Sequence, residues 1–233
     1  MRVSEIFSEV YNEVLSDDIN EGLIGTDHDI HHALRVAERA RQIAYDEWRD
    51  ERLADLAGLA GLCHNADRFL QAKLKIGHRD VAPEQVRELL EKRLGKAALK
   101  PAEREKVILA DLNHGLPNSQ DDSPVQIALM DGDRLVNLDA DVIIRSAQFY
   151  APEGLPAIDF NHYLDDPEAT FREPKSVVRD LKFNLEWVQE GTPVCVRTRL
   201  GKELGLERKF FFDMFFRVLK KQLLEEKILS SER

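Results

Sequence analysis

Leu56-Ala57-Gly58-Leu59-Ala60-Gly61-Leu62-Cys63-His64-Asn65 is an apolar run that ends abruptly in an imidazole and a carboxamide. The run is too apolar for a solvated helix and too short to cross a bilayer, so it reads as a helix buried in a folded bundle. Polar groups at the tip of such a helix need partners or a metal, because one left unpaired costs roughly 2–7 kcal/mol. Two other segments can supply them. Thr26-Asp27-His28-Asp29-Ile30-His31-His32-Ala33-Leu34-Arg35-Val36-Ala37 lies upstream, and Leu129-Met130-Asp131-Gly132-Asp133-Arg134-Leu135 lies downstream. In chain order the three give a histidine, a His-Asn dipeptide and an aspartate.

Outward from this run the chain reads as helices. Val3, Ile6, Phe7, Val10, Tyr11 and Val14 follow helical spacing in a first amphipathic helix that ends near Ser16-Asp17-Asp18. A second starts at Thr26 or Asp27 as N-cap and reaches Trp48, with Ala33, Val36, Ala37, Ala40, Ile43 and Ala44 on its apolar face. The third spans about 50–69 and carries Leu53, Leu56, Ala60 and His64 on one stripe. Pro83 and Pro101 open helices reaching Leu94 and His114, and Ser123-Pro124 opens a long one to about Tyr150. The stretch 151–174, rich in Pro, Asp and single aromatics, has no clear period and reads as a lid or insertion. Helices over 175–189 and 198–228 close the chain, and Phe211, Met214, Phe215, Val218 and Leu219 on the last read as a core-facing stripe. No run alternates with period two, so the expected fold is all-α.

Composition narrows the function classes. A chain of 233 residues with 43% hydrophobic residues can bury a full core, and 33% charged residues of mixed sign fit solvated helix faces. The net charge of −10 argues against a nucleic-acid polymer as main partner, since that binding rests on clustered Lys and Arg. It leaves room for a small anionic substrate, because a bound metal is often the largest local charge in a site. The N-terminus has no apolar signal region and no stretch is long enough to span a membrane, so a cytoplasmic location is expected. Cys63 and Cys195 read as free thiols.

Taken residue by residue, several readings stay open. His28 and His32 are spaced i,i+4 and suit either a zinc clasp or structural roles, while His31 points elsewhere. Asp133 falls on a largely apolar helix face, where a carboxylate needs a partner or a metal. Asp67, three residues past His64, suits a ligand, an acid that orients water, or a solvated helix-end aspartate. His114 suits a position behind the site, a ligand of a second metal, or a favourable cation at a helix C-terminus. Arg35, Arg68, Arg134 and Arg145 are candidate phosphate contacts or ion-pair partners. His78 and His162 have no context.

The order His32, His64-Asn65, Asp133 resembles the HD superfamily of metal-dependent phosphohydrolases, whose pattern is a histidine, a His-Asp dipeptide and a distant aspartate. Asp131-Gly132-Asp133-Arg134-Leu135, followed by Arg145, looks like the Asp-Ala-Asp-Arg-Leu signature of stand-alone bacterial HD proteins. Thr198-Arg199-Leu200-Gly201-Lys202-Glu203-Leu204 looks like the C-terminal helix of their pyrophosphohydrolase-like members. The resemblance covers most of residues 26–220. It implies one all-α domain over 1–233, with an HD core about 26–150, an insertion about 151–174 and C-terminal helices about 175–228. It also implies a divalent metal (Mn, Mg or Fe) held by His32, His64, Asn65 and Asp133, with Asp67 as the catalytic residue that orients the attacking water. Asp133 is favoured over Asp131, and His28 and His114 stand behind the metal or on a second one.

This chain departs from the pattern at Asn65, where an amide oxygen replaces a carboxylate, and at Asp180 and Asn184, where the group usually carries a histidine and a lysine. The implied activity is hydrolysis of a nucleotide or other small phosphate ester. The alternative is a degenerate HD module that binds a nucleotide or a protein partner without turnover.

Overall fold

A computed structural model describes residues 1–26, 28–77 and 80–229; Asp27 and His78 lie outside them. The described chain is all-α. Its helices are α1 (Val3–Ile6), α2 (Ser8–Asn20), α3 (Ile30–Trp48), α4 (Glu51–Cys63), α5 (Ala66–Leu74), α6 (Pro83–Leu94), α7 (Pro101–Asn113), α8 (Pro124–Val136), α9 (Val142–Tyr150), α10 (Val177–Phe183) and α11 (Arg199–Glu225). Among the described residues, β pairing amounts to an isolated bridge between Thr170 and Glu173. No described helix is long and apolar enough to cross a membrane.

Local signals set several boundaries. Asp50, Ser123 and Thr198 each accept a backbone N–H as N-cap of α4, α8 and α11, while Pro83, Pro101 and Pro124 open their helices. The centre is α3 packed on α4 and α8, with α4 and α8 also touching each other and α7. Small residues make that approach possible. A Cβ on Gly61 would lie 2.6 Å from the Ala37 Cα, and one on Gly132 would lie 2.9 Å from the Ala40 nitrogen. Ala33, Ala37, Ala40 and Ala44, all buried, form the matching seam of α3. Glycine costs about 1 kcal/mol against alanine inside a helix, and here close backbone contact offsets that loss.

A separate apolar centre gathers Leu138, Val142, Tyr163, Leu181, Phe212 and Phe216 from the turn after α8, from α9, α10 and α11, and from the stretch before α10. The segment 151–174 is mostly turns after a 3₁₀ turn at Ala151–Glu153. Tyr163 ties it down by donating its hydroxyl to the Phe216 carbonyl at 2.7 Å.

The sequence expectations need correction at several places. The first helix divides at Phe7 and runs on to Asn20. The second is capped by Asp29 rather than Thr26 or Asp27, because the Asp29 carboxylate takes the amides of His31, His32 and Gly25. The third breaks at His64-Asn65, and the long helix from Pro124 breaks between Val136 and Val142. The segment 175–189 holds only α10 and a 3₁₀ turn over Asn184–Val188. On α11 the buried face is Phe212, Phe216 and Leu223. Phe211, Met214 and Val218 are exposed, because the helix lies on the surface and turns only one narrow stripe inward. Both cysteines are free thiols.

Candidate metal centre

The two helix breaks create the site. At the end of α4 the His64 ring folds back and its Nδ1 donates to the Gly61 carbonyl at 2.7 Å, taking an acceptor that a continuing helix would use. That bond fixes the tautomer by inference, leaving Nε2 as a bare lone pair. His114, at the end of α7, repeats the device on the Asp111 carbonyl at 2.5 Å. His32 enters from the first turn of α3, which Asp29 holds in place. Asp133 enters from the last turn of α8.

These side chains converge. Asp133 Oδ1 lies 3.3 Å from His32 Nε2 and 3.7 Å from His64 Nε2, and the two rings are 5.2 Å apart. Ligand atoms of His32, His64 and Asp133 all lie within 4.8 Å of one another. Both Nε2 atoms are buried without a hydrogen-bond partner, an expensive arrangement for polar atoms that nothing in the protein satisfies. Burial keeps both imidazoles neutral: His32 is lowered despite the pull of Asp133, and His64 is pushed down to about 3. Burial works against charge on Asp133, yet its closeness to the His32, His64 and His114 rings holds the carboxyl well below the usual range. Two neutral imidazoles facing an ionised carboxylate are the donor set that a divalent cation takes.

Asn137, four residues after Asp133, supports the carboxylate. Its Nδ2 donates to Asp133 Oδ1 at 2.9 Å, and its Oδ1 accepts from both terminal nitrogens of Arg145 at 3.3 Å each. Asp131 points elsewhere: its Oδ2 accepts from the Arg197 and Thr198 amides and the Thr198 hydroxyl, which anchors α11 to α8.

Around the trio lies a cavity of about 890 Å³, lined among others by His28, Asn65, Asp67, Arg68, Arg134 and Arg145. His114 also lines it, its ring 5.6 Å from that of His64, and the His28 ring is 5.5 Å from that of His32. Asn65 donates its Nδ2 to the His28 carbonyl at 2.9 Å. Asp67 accepts the Arg68 amide at 2.8 Å. Arg134 is buried, with Nη1 on Asn118 Oδ1 at 2.7 Å and on the Cys195 carbonyl at 3.3 Å. Arg35 is placed apart, bracing the turn between α8 and α9 through Asp139 and Asp141.

Asp180 and Asn184 stand on the far wall, where Asp180 accepts the hydroxyls of Ser146 at 2.8 Å and Tyr150 at 3.1 Å. Burial raises the Asp180 carboxyl, and those two hydroxyls oppose the shift. His162 lies with Asp159 and Asp166 in the segment before α10, away from this cavity's lining.

Sequence reasoning missed Asn137 and Asp111. Asp111 lines the cavity with both carboxyl oxygens buried and unpartnered. Burial pushes its carboxyl well above the usual range, with Arg93 opposing and Asp67 adding to the shift. Its signal was available. Asp111 sits three and four residues after Ile108 and Val107 on an apolar face, the same argument that singled out Asp133.

No protein-family model matches the sequence, and no curated protein does. Solved structures do. The chain is similar to Bacillus subtilis YpgQ at 19% identity and TM-score 0.62, covering 96% of this chain and 98% of that one. It is similar to a predicted HD superfamily hydrolase from an uncultured Thermotogales bacterium at 21% identity and TM-score 0.55, covering 94% and 91%. A Lactobacillus plantarum protein matches at 16% identity and TM-score 0.64, covering 97% and 100%. The fold is that of an HD-domain-like bundle.

Proposed function

We propose that this HD-domain-like bundle is a metal-dependent phosphohydrolase acting on a nucleotide or another small phosphate ester. One observation carries the reading: the buried, unpartnered Nε2 atoms of His32 and His64 face a single ionised oxygen of Asp133. Mn²⁺, Mg²⁺ or Fe²⁺ would be held by those three residues, with the Asn65 amide oxygen as a weak fourth donor, since its Nδ2 is already engaged on His28. When bound, the cation supplies a lowered pKa to water and polarises a phosphoryl oxygen.

The residues around it have distinct tasks. Asp67 is the candidate proton acceptor at the cavity wall. Arg68 and Arg145 are the candidate phosphate contacts. Arg134 is tied to Asn118 and Cys195, Arg145 is braced by Asp141, Asn137 and the Val136 carbonyl, and Arg35 is occupied outside the cavity. With His32 donating Nε2 to a cation, its ring proton sits on Nδ1, 3.4 Å from Arg145 Nη1. His28 and His114 are candidate supports or ligands for a second ion. A cavity of about 890 Å³ suits a nucleotide-sized ligand, and Phe149, Phe171 and Trp187 on its wall offer stacking surfaces.

The second reading is binding without turnover, favoured by the missing charge at Asn65. Incubating the full chain with a panel of nucleoside mono-, di- and triphosphates and Mn²⁺ separates the two. Release of phosphate or pyrophosphate from any member supports the enzyme. Calorimetric binding without release from every member supports the binding module.

A further inference from the structure

The solvent face of α11 is unusual for a surface helix. Leu206 (62% exposed), Phe210 (70%), Met214 and Val218 follow one another at steps of four, with Phe211 beside them. Such a contiguous apolar strip on an outer face marks an interaction surface more often than a chance exposure. The charges around it say what covers it. Glu203 and Glu207 flank the first residue of the strip, and Arg217 and Lys221 flank its last. Glu207 and Arg217 form no salt bridge among the described residues. Glu203 and Lys221 are held only by exposed i,i+4 pairs with Arg199 and Glu225.

We propose that α11 packs antiparallel against α11 of a second copy of this chain, about a two-fold axis level with Phe212. At that register Leu206 meets Val218, Phe210 meets Met214, Glu203 lies opposite Lys221, and Glu207 is level with Arg217. The run from Glu203 to Lys221 is about 27 Å of helix. A parallel arrangement would set Glu203 against Glu203 and Lys221 against Lys221, so the charge order selects the antiparallel one. The contact is isologous and closes as a dimer. One helix pair buries less than a standard interface, so the dimer dissociates in the micromolar range.

Sedimentation velocity of the full chain from about 1 to 200 μM tests this. The wild type is expected to pass from monomer to dimer and stop there. Phe210→Glu should leave only monomer, with helix content unchanged because the residue is exposed. Glu203→Lys and Lys221→Glu should each weaken the dimer at least tenfold. The double variant Glu203→Lys/Lys221→Glu should return to within about threefold of wild type, because both charges swap together. Three outcomes overturn the proposal: a wild type monomeric throughout, association that continues past the dimer, or a double variant as weak as the single ones. In the first case the strip serves a different partner. The charge-swap comparison stands even if Phe210→Glu fails to fold.

Discussion

Asn65 is where one atom separates this site from the pattern it resembles. Its Oδ1 is a dipole where a carboxylate would bring a full charge to a hard cation. Asn65→Asp should therefore tighten Mn²⁺ binding at least tenfold, the scale on which even supporting groups act, and should raise or create phosphohydrolase activity. Calorimetric titration of wild type and variant measures the first effect directly. Unchanged affinity would mean that Asn65 does not face the ion. The sequence made part of this site legible. A buried apolar run ending in His64, an aspartate on an apolar face and a histidine on α3 were enough to expect these three side chains in one place, and they do converge. Asn137 was not legible, because a polar residue after a helix is ordinary until Asp133 and Arg145 are seen on either side of it. Nor could sequence tell that Arg35 turns toward Asp139 and Asp141 rather than into the cavity.

At the level of elements, the helices were readable and their breaks were not. Neither His64-Asn65 nor the turn after Val136 contains Gly or Pro. The breaks are instead accompanied by side chains reaching backbone or each other, as in His64 on Gly61 and Asn137 on Asp133. The crossing of α3 and α4 rests on Gly61. Gly61→Ala places a methyl 2.6 Å from Ala37 backbone, so it should cost about 1–3 kcal/mol despite better helix propensity. A lower denaturant midpoint, with weaker Mn²⁺ binding, is the expected result; an unchanged midpoint would show that the helices part freely.

The α2 end supplies a pH-dependent test. Asp18 is buried beneath the start of α3, and burial raises its carboxyl to about 6, with Arg93 opposing and Asp29 and Asp17 reinforcing. A folded value above the unfolded one gives a contribution present below pH about 4 and lost as pH rises through 6. Asp18→Asn should thus stabilise the protein at pH 7.5 by up to about 3 kcal/mol and leave it unchanged at pH 3.5. Urea melts at the two pH values check both halves.

Over the whole molecule, the all-α character followed from helical spacing throughout and the absence of alternating runs. The exposed side of α11 did not, since an apolar stripe looks the same whether it faces a core or solvent. What the bundle accomplishes is to bring three helix ends together around one small polar volume inside an otherwise apolar centre. The account stands on that volume being built for a cation. Its most direct test is calorimetric titration of Mn²⁺ into the chelator-treated full chain and into Asp133→Asn, with circular dichroism confirming that both are folded. One ion bound per chain in the wild type, with affinity falling at least tenfold in the variant, is the predicted result. Equal affinity in the two, or no binding to a folded wild type, would contradict it.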